Sequence, residues 1–119
     1  MTLSSRIEAA SADQQRELLV EAARLIWGWD FCPPAEDPDE WVCRWNRFHR
    51  KIEAEAYLDA AMMLVAPGKR RVEFGTYNDG TAWAYVRTNA DVAGETDACA
   101  TEALALAAAA IRAKGIDDV

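Results

Sequence analysis

Apolar positions recur at helical spacing over most of this chain and at every second residue in one stretch alone. Leu3, Ile7 and Ala10 share a side and predict a short first helix from Leu3 to Ala10. Ser11-Ala12-Asp13-Gln14 offers a new start, with Ser at an N-cap and Gln three residues on as in a capping box. Leu18, Leu19, Ala22, Leu25 and Ile26 continue as an apolar face, and Gly28 is placed to end that helix near Trp27. Pro33-Pro34 dictates a loop from Trp29 to Glu36, because neither proline continues a helix and each pushes its predecessor toward extended geometry. Asp37-Pro38-Asp39-Glu40 is the strongest helix start: an N-cap carboxylate, a proline at the first helical position, and acidic residues near the positive end of the helix. Trp41, Trp45, Phe48 and Ile52 then form a stripe, with Arg44, Arg47 and Lys51 on another face. Ala56 to Val65 is again helical and stops at Pro67-Gly68; one long helix, or two joined by a bend near Ile52–Glu55, satisfies the pattern.

The alternating stretch is Arg71 to Thr88. Two runs rich in β-branched and aromatic residues flank Asn78-Asp79-Gly80, residue types that suit a tight hairpin loop. Val72 and Phe74 alternate with Arg71, Glu73 and Gly75; Trp83 and Tyr85 alternate with Ala82, Ala84 and Val86. Asn89 to Asp97 reads as a polar loop. The last helix runs from about Ala98 or Thr101 to Lys114, with Leu104, Ala107, Ala108 and Ile111 on one face and Gly115 at the stop. An isolated hairpin is marginal in water, so helices must cover it, and the small alanines of the last helix let it lie close to the sheet. The expected fold class is α+β, a small antiparallel sheet (the hairpin at about 71–88) layered between helices as an α/β/α sandwich, in a single domain spanning 1–119. Leu64, Phe74 and Leu104 are expected in its core.

Charge narrows the functions. Twenty acidic side chains against 13 basic give a net charge of −7, which argues against ordinary binding to a phosphate backbone. It suits a soluble surface, or an acidic one presented to a basic partner. No apolar run is long enough to span a bilayer, and the N-terminus lacks a signal-peptide pattern, so no membrane partner and a cytoplasmic location are expected. Cys32, Cys43 and Cys99 are irregularly spaced, which fits free thiols in a reducing compartment. Cys32, Cys43 and His49 match no standard zinc spacing, and His49 lacks an obvious orienting carboxylate or amide for nucleophilic catalysis. No metal, cofactor or catalytic residue is therefore expected. The binding candidates lie on the acidic loop and helix start: Trp29 and Phe31 as aromatic anchors, with Glu36, Asp37, Asp39, Glu40 and Trp41 around them. The alternative for Trp27, Trp41 and Trp45 is a core corner closing the helices over the sheet.

The segment Tyr57-Leu58-Asp59-Ala60-Ala61-Met62-Met63-Leu64-Val65, the Pro-Gly turn, the strand Ala82-Trp83-Ala84-Tyr85-Val86 and the closing helix from Ala100-Thr101-Glu102-Ala103-Leu104 resemble the phage ABA sandwich domain family, as does the opening Ser5-Arg6-Ile7-Glu8-Ala9-Ala10. Glu102 stands where family members often carry proline. The resemblance implies a small phage or prophage accessory protein with helices on both faces of a sheet and no known catalytic residues. The resulting expectation is a non-enzymatic protein-binding module in the bacterial host cytosol, an inhibitor of a host antiviral (CRISPR-type) complex. Its acidic surface would meet a basic, nucleic-acid-binding protein surface, and the protein itself would bind no nucleic acid. A structural or self-associating phage protein, homodimeric in one form, and an enzyme with an unrecognised site are the alternatives.

Overall fold

The computed structural model describes residues 2–27, 38–65, 71–87 and 93–115, with the side chains of 38–44 outside that description. Within it the fold is α+β: five helices and a three-stranded antiparallel sheet packed against them. The helices are α1 (Leu3–Ala9), α2 (Gln15–Trp27), α3 (Pro38–Glu53), α4 (Tyr57–Met63) and α5 (Glu102–Lys114); the strands are β1 (Arg71–Thr76), β2 (Ala82–Arg87) and β3 (Ala93–Cys99). None of the described helices is long and apolar enough to cross a membrane.

Local chemistry accounts for most of the boundaries. Thr2 caps α1, its hydroxyl accepting from Ser5 N–H at 3.2 Å. The Ser11–Gln14 pair forms the turn before α2, the Gln14 side-chain oxygen accepting from Ser11 N–H at 3.1 Å. The pattern from Pro38 to Val65 resolves into two helices. Glu55 takes a left-handed φ of 59°, Glu55 N–H reaches back to Ile52 C=O at 3.0 Å, and Ala56 N–H reaches Lys51 C=O at 2.8 Å. Those two bonds close a Schellman motif at a position that glycine usually fills. At the hairpin, Gly80 N–H bonds Tyr77 C=O at 3.0 Å with φ +90° at Gly80, the three-residue loop expected of Asn78-Asp79-Gly80. Asp79 fixes the loop by accepting from both the N–H and the hydroxyl of Thr81, at 2.9 and 2.6 Å.

The expectation of a polar loop from Asn89 to Asp97 is corrected: Ala93–Cys99 is a third strand, paired antiparallel with β2 through Tyr85↔Glu95 and Val86↔Gly94. Glycine, alanine and acidic residues are poor strand formers, so β3 depends on what it packs against. Thr96 is buried and its hydroxyl donates to Ala105 C=O in α5 at 2.8 Å. Gly94 lies flat on α5, where a β-carbon would collide with Ala109 C=O and stand 2.6 Å from Ala113 N.

Helix α5 is the centre of the molecule. Every residue from Ala103 to Ile111 is buried, as is Ala113, the mark of a helix enclosed on all sides. The sheet, α1, α4 and α2 all pack directly against it. Ala82, Ala84 and Val86 of β2 point into this core, with half-buried Val72 and Phe74 of β1 beside them. Leu64 and Leu104 are buried as expected, whereas Phe74 keeps part of its surface exposed. As expected, the sheet packs against helices, here through α5 and α1, and strand alternation puts charged and aromatic side chains on its second face. At the far end, Trp27, Trp45 and Phe48 pack edge to face with centroids 5.3–6.0 Å apart, the core corner anticipated for Trp27 and Trp45.

The packing and the helix break set the cost of single substitutions. Gly94→Ala should lower stability by about 3 kcal/mol or more, because the obstacle is helix backbone and not a movable side chain. Leu104→Ala should cost on the order of 2–5 kcal/mol and Phe74→Ala less. Thermal or denaturant unfolding checks both, and a Gly94→Ala protein melting with the parent would show that β3 does not lie on α5. Glu55→Gly should raise stability by roughly 1 kcal/mol, since glycine accepts the left-handed conformation without the steric cost that glutamate bears.

Candidate functional site

The second face of the sheet follows directly from strand register. Side chains alternate across a strand, so burying Ala82, Ala84 and Val86 turns Trp83, Tyr85 and Arg87 outward. Their cross-strand partners come with them: Gly75 opposite Trp83, Glu73 opposite Tyr85, and Glu95 opposite Tyr85 from the other side. Tyr85 thus stands between two glutamates. Trp83 lies across Gly75, close enough that a β-carbon there would meet the indole at 3.0–3.1 Å. Glycine in a strand commonly marks such a close approach.

A bulge in β3 adds the third carboxylate. Ala82 pairs with Cys99 and Ala84 with Thr96, so Asp97 and Ala98 together oppose Trp83. Ala98 takes a φ of 56°, and both bulged residues are exposed. The Tyr77 hydroxyl, from the hairpin end, donates to Asp97 Oδ1 at 2.5 Å and joins the hairpin to β3. Tyr77 is 44% exposed, the one large exposed hydrophobic side chain among the described residues. Together with Glu8 of α1 these groups line a shallow, open trough of about 480 Å³. Among the described residues its lining holds four carboxylates (Glu8, Glu73, Glu95 and Asp97), three aromatic rings, and no lysine or arginine.

Ion pairs anchor the margins. Arg112 of α5 donates from Nη2 to Glu8 Oε1 at 2.5 Å, from Nε to the buried Ser4 hydroxyl at 2.9 Å, and from Nη1 to Glu95 C=O at 2.9 Å. One side chain so fastens α1, α5 and the outer edge of β3. Across the sheet Arg71 donates to Glu73 Oε1 at 3.0 Å. Glu95 and Asp97 have no ion-pair partner among the described residues. What this arrangement can do chemically is hold positive charge against flat aromatic surfaces.

Of the binding candidates drawn from the sequence, Trp29, Phe31, Glu36 and Asp37 lie outside the described residues, as do the side chains of Asp39, Glu40 and Trp41. Cys32 and Cys43 do too; His49 stacks on Trp45 with centroids 5.1 Å apart. Among the described residues no group of three or more His, Cys, Asp and Glu side chains could hold a metal ion. Cys99 is buried, and burial pushes its thiol up to about 11, which makes it a poor nucleophile at neutral pH.

The trough was missed because Trp83 and Tyr85 read as ordinary strand aromatics. The available signal was size: inward residues must be small where an alanine-rich helix lies close, which leaves the large alternate residues outside. Comparison with known proteins returned no match among family models, curated proteins or solved structures.

The trough has a pH signature. The bond to Asp97 holds the Tyr77 phenol above the ordinary tyrosine value of 10.0, with desolvation and the negative charges of Asp97 and Asp79 acting in the same direction. A raised value stabilises the fold fully below pH 10, and that contribution is lost as pH rises through the higher folded value. Ultraviolet titration should find a phenol ionising above the ordinary value that is missing in Tyr77→Phe; a Tyr77→Phe protein whose titration loses only an ordinary phenol would contradict the contact.

Proposed function

We propose that this protein is a non-enzymatic binding module whose acidic, aromatic sheet face docks a basic protein surface. The observation that carries the reading is the composition of that face: Trp83, Tyr85 and Tyr77 sit among four carboxylates in an open trough, and none of its described lining residues is a lysine or arginine. Aromatic side chains supply rigid contact area at binding hot spots. Carboxylates around them set orientation and association rate, and repel nucleic acid and acidic proteins. An open trough leaves solvent at every group, which suits surface recognition better than chemistry that depends on excluding water.

The resemblance to phage ABA sandwich proteins, together with the net charge of −7, supports a finer version. In it the protein is a phage or prophage accessory factor acting in the bacterial cytosol, and the basic surface it covers belongs to a host antiviral complex of CRISPR type. That surface would otherwise hold nucleic acid, so an acidic aromatic face competes for it by charge and by stacking.

Affinity capture from bacterial lysate tests the reading, comparing the parent with a Glu73→Lys/Glu95→Lys/Asp97→Lys variant whose folding is confirmed by circular dichroism. The parent should retain a basic nucleic-acid-binding protein, release it as salt rises, and displace nucleic acid from it. The variant should lose that partner by at least an order of magnitude, since reversing charges at an interface replaces attraction by repulsion. Equal retention by both proteins would put the interface elsewhere.

A further inference from the structure

Resting on that reading, we infer that the open sheet face selects arginine over lysine, taking guanidinium groups from an extended basic segment laid along β2. The face already holds one guanidinium of its own. Arg71 places its guanidinium carbon 6.0 Å from the centre of the Tyr85 ring while donating to Glu73 at 3.0 Å. Its side chain is 65% exposed, so burial does not impose this pose. The ring and the carboxylate attract the cation in open solvent, the geometry expected of a cation–π contact.

The same unit repeats one step along the strand. Trp83 stands two residues from Tyr85 on the same side of β2, with Gly75 leaving its indole flat and Asp97 of the bulge beside it. Among the described residues no arginine lines that second position. Residues two apart on a strand are about 6.6 Å apart, which is also the spacing of alternate side chains on an extended peptide. A partner segment lying along β2 can therefore set one cation over Trp83 and, by displacing Arg71, another over Tyr85. Glu95 and Asp97 have no ion pair to break first among the described residues.

Arginine fits this unit and lysine does not. A guanidinium is planar, weakly hydrated, and able to stack on a ring while its edge donates to a carboxylate. A lysine ammonium is a compact, strongly hydrated charge that satisfies the carboxylates alone. Arg71 itself then acts as an internal competitor for the Tyr85 position.

Calorimetric titration at low salt with octa-arginine and octa-lysine peptides decides the matter. The parent should bind octa-arginine roughly two- to fivefold more tightly than octa-lysine, the margin of exposed cation–π contacts at the two rings. Trp83→Ala should erase most of that preference and Trp83→Phe restore part of it, with circular dichroism confirming both folds. Arg71→Ala should widen the preference, whereas the charge-matched Arg47→Ala on α3 should strengthen both peptides alike. Equal affinity for the two peptides in the parent, or a preference untouched by Trp83→Ala, overturns the inference. If the two bind equally and the triple charge reversal binds neither, the acidic docking face stands without arginine selectivity. If the triple variant binds both like the parent, the docking face falls as well.

Discussion

The structure depends on a close approach: α5 is buried along its length, and the many alanines among its inner residues let its neighbours come near. Ala103, Ala105, Ala107, Ala108, Ala109 and Ala110 are buried, so sheet and helices come nearer its backbone than leucines would permit. Alanine loses no side-chain entropy in a helix and favours helix more than any other residue. The same choice therefore serves the helix and its packing. Its ends are equally determined: Thr101 caps the start by accepting from Leu104 N–H at 3.2 Å, and Gly115 ends it at φ 69°. What alanine does not supply is much apolar area per residue, so the fit must be tight to yield comparable dispersion.

That requirement explains the residues around the helix. Gly94 lacks a side chain because the α5 backbone occupies the space. Ala82 and Ala84 are small on the side of β2 that faces the helix. Polar groups in the contact are each satisfied: Thr96 donates to Ala105 C=O, and Ser4 accepts from Arg112, because an unpaired buried polar group costs about 1–3 kcal/mol. Arg112 sits where α1, α5 and β3 converge, and its partially exposed position reduces the desolvation that a fully buried charge would suffer.

Much of the helical framework was legible because its signals are local. The Ser11–Gln14 pair, Pro38, the hairpin Asn78-Asp79-Gly80 and Gly115 each act within a few residues of themselves. Strand β3 was not legible, since AGETDAC has weak strand preference and forms on a surface supplied by α5. The break at Glu55 was left open for a similar reason: nothing local demands a left-handed glutamate, and α4 must turn there to reach α5. The described site was hidden in plain alternation. Periodicity divided β2 into Ala82, Ala84, Val86 and Trp83, Tyr85, but hydrophobicity alone would turn the larger set inward. Only the size of the facing helix decides which set is buried.

The proposed binding face is in this sense a consequence of the core. Where Ala82 and Ala84 lie against the helix, the alternation turns the large residues Trp83 and Tyr85 to the other side of the strand. Trp83 is partly sheltered by lying on Gly75, and Tyr85 by Arg71 and its flanking glutamates. If the face is a docking surface, the carboxylates beside these rings would oppose self-association through it, since two copies would bring like charges together. The same carboxylates make the platform attractive to a cationic surface. On the proposed reading, selectivity for a basic partner and resistance to self-docking would arise from one arrangement of residues, so that altering one would change the other.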